Sequence, residues 1–110
     1  MKQYTSKDQN AKLIELGFPK PKFSFPIEDN EHPDYVDEEG IPWSLVESYS
    51  IGELIEFLPI NGTRIKNIEF DGLEWFIDWD SDTSIYQTTS SELIDALFNM
   101  CVTLKEEGVI

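Results

Sequence analysis

Between residues 67 and 80 the hydrophobic period of this chain is two, while the flanking stretches repeat close to every 3.6 residues, and only a mixed fold accommodates both. Leu73, Trp75, Ile77 and Trp79 alternate with Glu74, Phe76, Asp78 and Asp80, which describes a strand with one wet face. Ahead of it, Ile68 and Phe70 alternate with Asn67, Glu69 and Asp71. Asp71-Gly72 between the two runs is the pair favoured by a two-residue type I′ hairpin turn. That register sets Phe70 opposite Leu73, Ile68 opposite Trp75, Glu69 opposite Glu74 and Lys66 opposite Ile77. The like-charge pair and the inward lysine predict that regular pairing stops at Asn67. A third strand over Ser84-Ile85-Tyr86-Gln87 would complete a small antiparallel meander.

Three helices frame this sheet. Thr5 or Ser6 can cap the first, with Asp8 or Gln9 three positions on; Ala11, Leu13, Ile14 and Leu16 give it an apolar side, and Gly17 and Pro19 end it. The second starts at Ser50, with Glu53 closing a capping box, and stops at Leu58 before Pro59; Ile51, Leu54, Ile55 and Leu58 form its buried stripe. For the third, Thr89 is the expected cap and Glu92 its box partner, with Leu93, Ile94, Leu97, Met100, Cys101 and Leu104 on one side up to Gly108. The expectation is an α+β fold, three helices packed on a small antiparallel sheet, in a single domain over residues 1–110.

Charge excludes several functions. The 110 residues hold 22 acidic and 8 basic side chains, a formal charge of −14. Such a chain is not expected to bind nucleic acid directly or to adhere to an anionic membrane. No apolar run approaches the roughly 18 residues of a membrane span, and Met1-Lys2-Gln3-Tyr4 opens no signal peptide, so a cytoplasmic location is expected. The single Cys101 excludes an internal disulfide and a cysteine-based zinc cluster. No cofactor motif is present.

The segment 18–42 is the most acidic. Glu28, Asp29, Glu31, Asp34, Asp37, Glu38 and Glu39 crowd between Pro26 and Pro42, and residues 23–63 contain no Lys or Arg. With neither helical nor alternating periodicity evident, it reads as a long acidic, Pro-rich surface loop, and loops of that length are usually functional. Trp43 sits where this loop rejoins the fold, and Phe76 falls on the polar face of its strand. Exposed aromatics among charges anchor protein contacts; the alternative is that Trp43 plugs the core edge and Phe76 lies under a loop.

Other constellations are weaker. Asp78, Asp80 and Asp82 have the first three spacings of an EF-hand loop, but Thr83 stands where a glycine is required and Thr89 where the bidentate glutamate belongs, so no metal is expected. His32 lies among carboxylates but is the only histidine and reads as exposed. Cys101, on an apolar stripe without an adjacent cation, reads as a core residue. Asn61-Gly62-Thr63 matches a glycosylation acceptor that matters only after secretion. No Gly-rich phosphate loop or nucleophile-base set appears.

The helix starts and ends, Tyr4-Thr5-Ser6-Lys7, Gln9, Leu13, Glu15-Leu16-Gly17, Pro19, Pro42-Trp43-Ser44-Leu45, Leu54, Leu58-Pro59, Ala96, Met100, Leu104, Gly108 and Ile110, resemble an uncharacterised family of short proteins encoded by phages, prophages and conjugative elements of gut Bacteroidetes. The acidic segment and hairpin depart from its pattern. The resemblance carries no activity or site residues; it implies a mobile-element accessory protein acting inside a bacterial cell.

Three functions compete. The first is a non-enzymatic accessory module that contacts a host or phage protein through Glu28, Asp29, Glu31, Asp34, Asp37, Glu38, Glu39, Trp43 and Phe76, its charge steering it toward basic partners. The second is a DNA mimic that offers Glu69, Asp71, Glu74, Asp78, Asp80 and Asp82 in place of phosphates to a nucleic-acid-binding protein. The third, a small carboxylate-dependent enzyme, requires a cleft such as Trp75 or Trp79 with Asp78 would line.

Overall fold

A computed structural model describes residues 1–58, 66–80 and 84–110. In chain order it runs α1 (Lys7–Glu15), β1 (Phe23–Glu28), β2 (Tyr35–Val36), β3 (Pro42–Ser48), α2 (Ile51–Phe57), β4 (Lys66–Phe70), β5 (Trp75–Asp80), β6 (Ile85–Ser90) and α3 (Leu93–Glu106). The fold is α+β, but the described strands make two antiparallel three-stranded sheets, ordered β1-β3-β2 and β4-β5-β6, where one was expected. The helices are divided accordingly: α1 meets β3, α2 meets α3, and α3 meets β5 and β6.

Two of the three predicted capping boxes form. The Ser6 hydroxyl accepts from the Gln9 N–H while the Gln9 side chain accepts from the Ser6 N–H, and Ser50 and Glu53 do the same for α2. Gly17, at φ 95°, ends the α1 region in the left-handed conformation that glycine adopts without strain. The inner side of α1 differs from the expected stripe. Leu13 is buried, but Ile14 is exposed and the buried neighbour is Asn10. Asn10 Nδ2 donates to the Glu47 carbonyl at 3.0 Å and to Ser48 Oγ at 2.9 Å, and its Oδ1 accepts from Thr5 Oγ1. A polar clamp therefore holds α1 on β3.

The third helix starts later than expected. Thr88, Thr89 and Ser90 extend β6, Thr89 pairs with Phe76 across the sheet, and α3 begins after Glu92 without a side-chain cap. β-branched threonines favour the strand, and the ladder to β5 outweighs a cap. The β4–β5 hairpin is shifted by two residues from the expected register: Phe70 faces Trp75, Ile68 faces Ile77, and Lys66 faces Trp79. Asp71 causes the shift. Its Oδ1 accepts from the N–H groups of Leu73 and Glu74, both at 2.8 Å, and Gly72 takes φ 101°, so residues 71–74 form a wider turn. The shift sets Glu69 opposite Phe76 and removes the Glu69–Glu74 conflict, pairing runs regularly to Lys66, and Leu73 leaves the apolar face for solvent.

The largest correction is the 18–42 loop, which contains β1 and β2. Phe23, Phe25 and Ile27 alternate with Ser24, Pro26 and Glu28, a period-two signal that the prolines obscured. Prolines are tolerated there because β1 is an edge strand and Pro42 opens β3.

One apolar cluster joins the layers: Leu13, Tyr49, Leu54, Leu58, Ile77, Trp79, Leu93, Ile94, Ala96, Leu97, Met100, Cys101 and Leu104. At the end of the core, Asp95 in the first turn of α3 accepts from Lys2 Nζ at 3.0 Å and from Gln9 Nε2 at 2.8 Å, which ties the N-terminal segment to α3. No helix among the described residues is long and apolar enough to cross a membrane.

Candidate functional site

The acidic segment organises the first sheet through its own backbone. Asp29 Oδ1 accepts from the N–H groups of Glu31 and His32, and its Oδ2 accepts from the Ser44 hydroxyl at 2.9 Å. Asp34 Oδ2 accepts from the Leu45 N–H at 2.9 Å. Asp37 Oδ1 accepts from the N–H groups of Glu39 and Ile41, while Oδ2 accepts from Trp43 Nε1 at 2.8 Å. These donors hold two carboxyls below the usual carboxylate range: the Trp43 indole N–H chiefly, then Ile41, for Asp37, and the His32 N–H chiefly, then the Ser44 hydroxyl, for Asp29. Three of the seven predicted contact carboxylates thus accept from backbone N–H groups, Asp29 and Asp37 within turns and Asp34 across to β3, a use of Asp that sequence crowding does not reveal. Glu28, Glu31, Glu38 and Glu39 remain as exposed charges.

Sheet register decides what Trp43 does. In β1, β3 and β2 the directly opposed pairs are Pro26 with Leu45, Glu28 with Trp43, Ser24 with Glu47, and Tyr35 with Trp43. Opposed residues share a face, so Pro26, Tyr35, Trp43 and Leu45 lie together on one side. Leu45 is 57% and Tyr35 45% exposed, Pro26 is exposed and Trp43 half-buried. Glu28 and Glu47 flank them. The Asp37 bond fixes the indole, so Trp43 is a preset wall of this patch and not a core plug. Pro26 and Tyr35 fall within the expected 18–42 loop, and Leu45 lies just beyond it on β3, where its alternation with Trp43 is the sequence signal for this face.

The opposite side of this sheet faces the N-terminal segment. The Tyr4 ring stacks on Phe25 with centroids 4.5 Å apart, and its hydroxyl donates to the Pro26 carbonyl at 2.7 Å. Beside them an open groove of about 350 Å³ is lined by Lys2, Tyr4, Ser6 and Lys7 and by Pro26, Ile27, Glu28 and Trp43, so it reaches the patch at its Glu28 and Trp43 end.

Phe76 sits elsewhere, half-buried on the outer face of the second sheet with Glu69, Asp78 and Asp80. Gln87 Nε2 donates to Asp78 Oδ1 at 2.7 Å, and Asn67 Nδ2 donates to Glu69 Oε1 at 3.0 Å. Asp71, whose carboxyl the Glu74 and Leu73 N–H groups hold below the usual range, belongs to the turn, with Glu74 beside it. Asp82 lies outside the described residues, as do Thr83, Pro59 and Asn61-Gly62-Thr63. Thus Trp43 and Phe76 are on different sheets, and the acidic set is divided between a sheet face and a turn.

Catalytic candidates are not brought together. Asp78 projects from the face of β5 opposite Trp75 and Trp79, and Trp79 is fully buried, so these three share no cleft. Cys101 is buried against α2, its Sγ donating to the Leu54 carbonyl at 3.6 Å, and desolvation pushes its thiol up to about 12. Burial, then the charge of Glu53, also raises Tyr49, whose hydroxyl donates to the Pro19 carbonyl at 2.6 Å. His32 is exposed. Among the described residues no His, Cys, Asp and Glu cluster has the arrangement of a metal site. No protein-family model matches the chain, and no curated protein or solved structure resembles it significantly.

Proposed function

We propose that this chain is a non-enzymatic accessory protein of a phage or mobile element, cytoplasmic in its host, that acts by binding a basic protein through the outer face of the first sheet. The observation that supports this reading most is the patch of Pro26, Tyr35, Trp43 and Leu45, exposed apolar groups in adjacent register rows. Glu28 and Glu47 stand beside it on the same face, the loops that join its strands add the exposed Glu31, Glu38 and Glu39, and residues 23–63 supply no cation. An apolar centre with a mostly acidic rim, which Lys2 and Lys7 approach only at its Glu28 and Trp43 end, suits a partner that carries apolar anchors among lysines or arginines. The Asp37 to Trp43 bond orders the patch before binding, which lowers the entropic cost of association.

A second reading draws on a different face. Glu69, Asp78 and Asp80 share the outer side of the second sheet, where same-face residues along a strand are spaced about 6.8 Å, close to the separation of successive phosphates. A DNA mimic would use that side.

Affinity capture from host lysate with the tagged protein, washed at low and high salt with and without competing duplex DNA, separates the readings. The patch reading expects a basic partner that survives high salt, ignores duplex DNA and is lost with Tyr35→Ser/Leu45→Ser. A DNA-processing protein released by duplex DNA and by Glu69→Gln/Asp78→Asn/Asp80→Asn would transfer the assignment to the mimic. Capture that depends on neither set of residues would defeat both.

A further inference from the structure

The two sheets have four edges, and three of them are guarded. β1 carries Pro26, whose carbonyl is already taken by the Tyr4 hydroxyl. β2 is only two residues long, and β4 carries the charge of Glu69. Short strands, prolines and charges are the usual means of keeping an edge from pairing with another chain.

β6 has none of these. It runs Ile85-Tyr86-Gln87-Thr88-Thr89-Ser90, without proline, glycine or charge, and the uncharged stretch extends from Thr83 to Ser91. In a chain of net charge −14 that is a notable gap. Three of its six residues are β-branched, and Ile85 is 80% exposed. The strand pairs with β5 on one side, and among the described residues nothing hydrogen-bonds to its other side. α3 packs on the inner face of this sheet, where Thr88 Oγ1 donates to the Ala96 carbonyl at 2.8 Å.

We infer that β6 is a self-pairing edge, to which β6 of a second copy of this chain adds antiparallel across a two-fold axis, joining two three-stranded sheets into one of six strands. A second copy is the occupant because it brings a strand that is equally uncharged, so pairing sets no like charges opposite each other. Directly opposed residues must share a face. The axis therefore passes through a residue position, and centring on Gln87 places Ile85 opposite Thr89 of the partner subunit, which covers the exposed isoleucine. Repulsion between the acidic faces does not forbid the pairing. Asp78 and Asp80 lie on β5, so the two sets are separated by three strand spacings, roughly 14 Å, beyond the Debye length of about 8 Å at physiological salt. Added salt therefore strengthens this dimer.

Sedimentation equilibrium from low micromolar to near-millimolar protein, at low and high salt, tests it. The expected result is a monomer–dimer equilibrium that salt shifts toward dimer, with amide exchange in β6 slowing as concentration rises. Ile85→Lys/Thr89→Lys, at two exposed sites and with its fold checked by near-UV circular dichroism, sets lysine opposite lysine twice and should weaken dimerisation ~10-fold or more. Tyr35→Ser/Leu45→Ser should leave it unchanged, which separates this inference from the partner-binding patch. A chain that stays monomeric throughout overturns the inference. So does a dimer that the lysine variant does not weaken, that high salt dissolves, or that is lost with the patch variant.

Discussion

Asn10 is the residue whose removal tests the packing logic most directly. It is 6% exposed, joins α1 to β3, and exchanges hydrogen bonds with Thr5, Glu47 and Ser48. In Asn10→Ala these three contacts disappear, and at ~1 kcal/mol each the gross loss is about 3 kcal/mol. Two effects reduce it. Alanine is the better helix former by about 0.5 kcal/mol, and the Thr5 hydroxyl can turn wholly to the Tyr49 carbonyl, 3.5 Å away. Against this, the Ser48 hydroxyl is fully buried and loses its amide partner. The net expectation is a loss of roughly 2–3 kcal/mol, or a midpoint lowered by about 10–20 °C in a domain of this size. Urea unfolding followed by tryptophan fluorescence gives the free energy, and a cycle with Ser48→Ala isolates the pair, for which a coupling near 1 kcal/mol is expected. A loss below ~1 kcal/mol with an additive cycle would show that α1 is held by Leu13 and the apolar cluster alone, refuting the clamp.

Acid should act on the patch before the core. Asp37 and Asp29 have folded pKa values below their unfolded ones, so their contribution is fully present above the unfolded value near pH 4 and is lost as pH falls through the lowered folded values. Amide and indole N–H resonances of Ile41, His32 and Trp43 should therefore shift below about pH 4 while those of α3 hold; simultaneous loss of both would contradict the assignment. Cys101, with its thiol near 12 and no exposure, should resist a thiol reagent in the native protein and react at once in denaturant; labelling at equal rates in both states would refute its place in the core.

The caps of α1 and α2 were legible because a capping box is local: Ser6 with Gln9 and Ser50 with Glu53 need only three residues of chain and one hydrogen-bond geometry. The same rule misplaced the start of α3, since Thr89 satisfies a local cap pattern but gains more from pairing with Phe76 in β5. Period two gave β5 and the inward side of β4, yet not their register, which the Asp71 side chain sets by widening the turn.

The sequence by itself determined the charge, the α+β class, two of the three helix starts and the alternation that buries Ile77 and Trp79. These follow from interactions within a few residues or from composition. Only the tertiary structure decided that the acidic segment is half of a sheet, that Asp29, Asp34 and Asp37 bind its backbone while the glutamates face solvent, and that Trp43 shares a face with Pro26, Tyr35 and Leu45. It also decided that Phe76 lies on the other sheet and that β6 is an edge. The reason is physical: which carboxylate is an acceptor and which a free charge depends on where donors distant in the chain arrive, and a strand becomes central or edge only when its neighbours are in place.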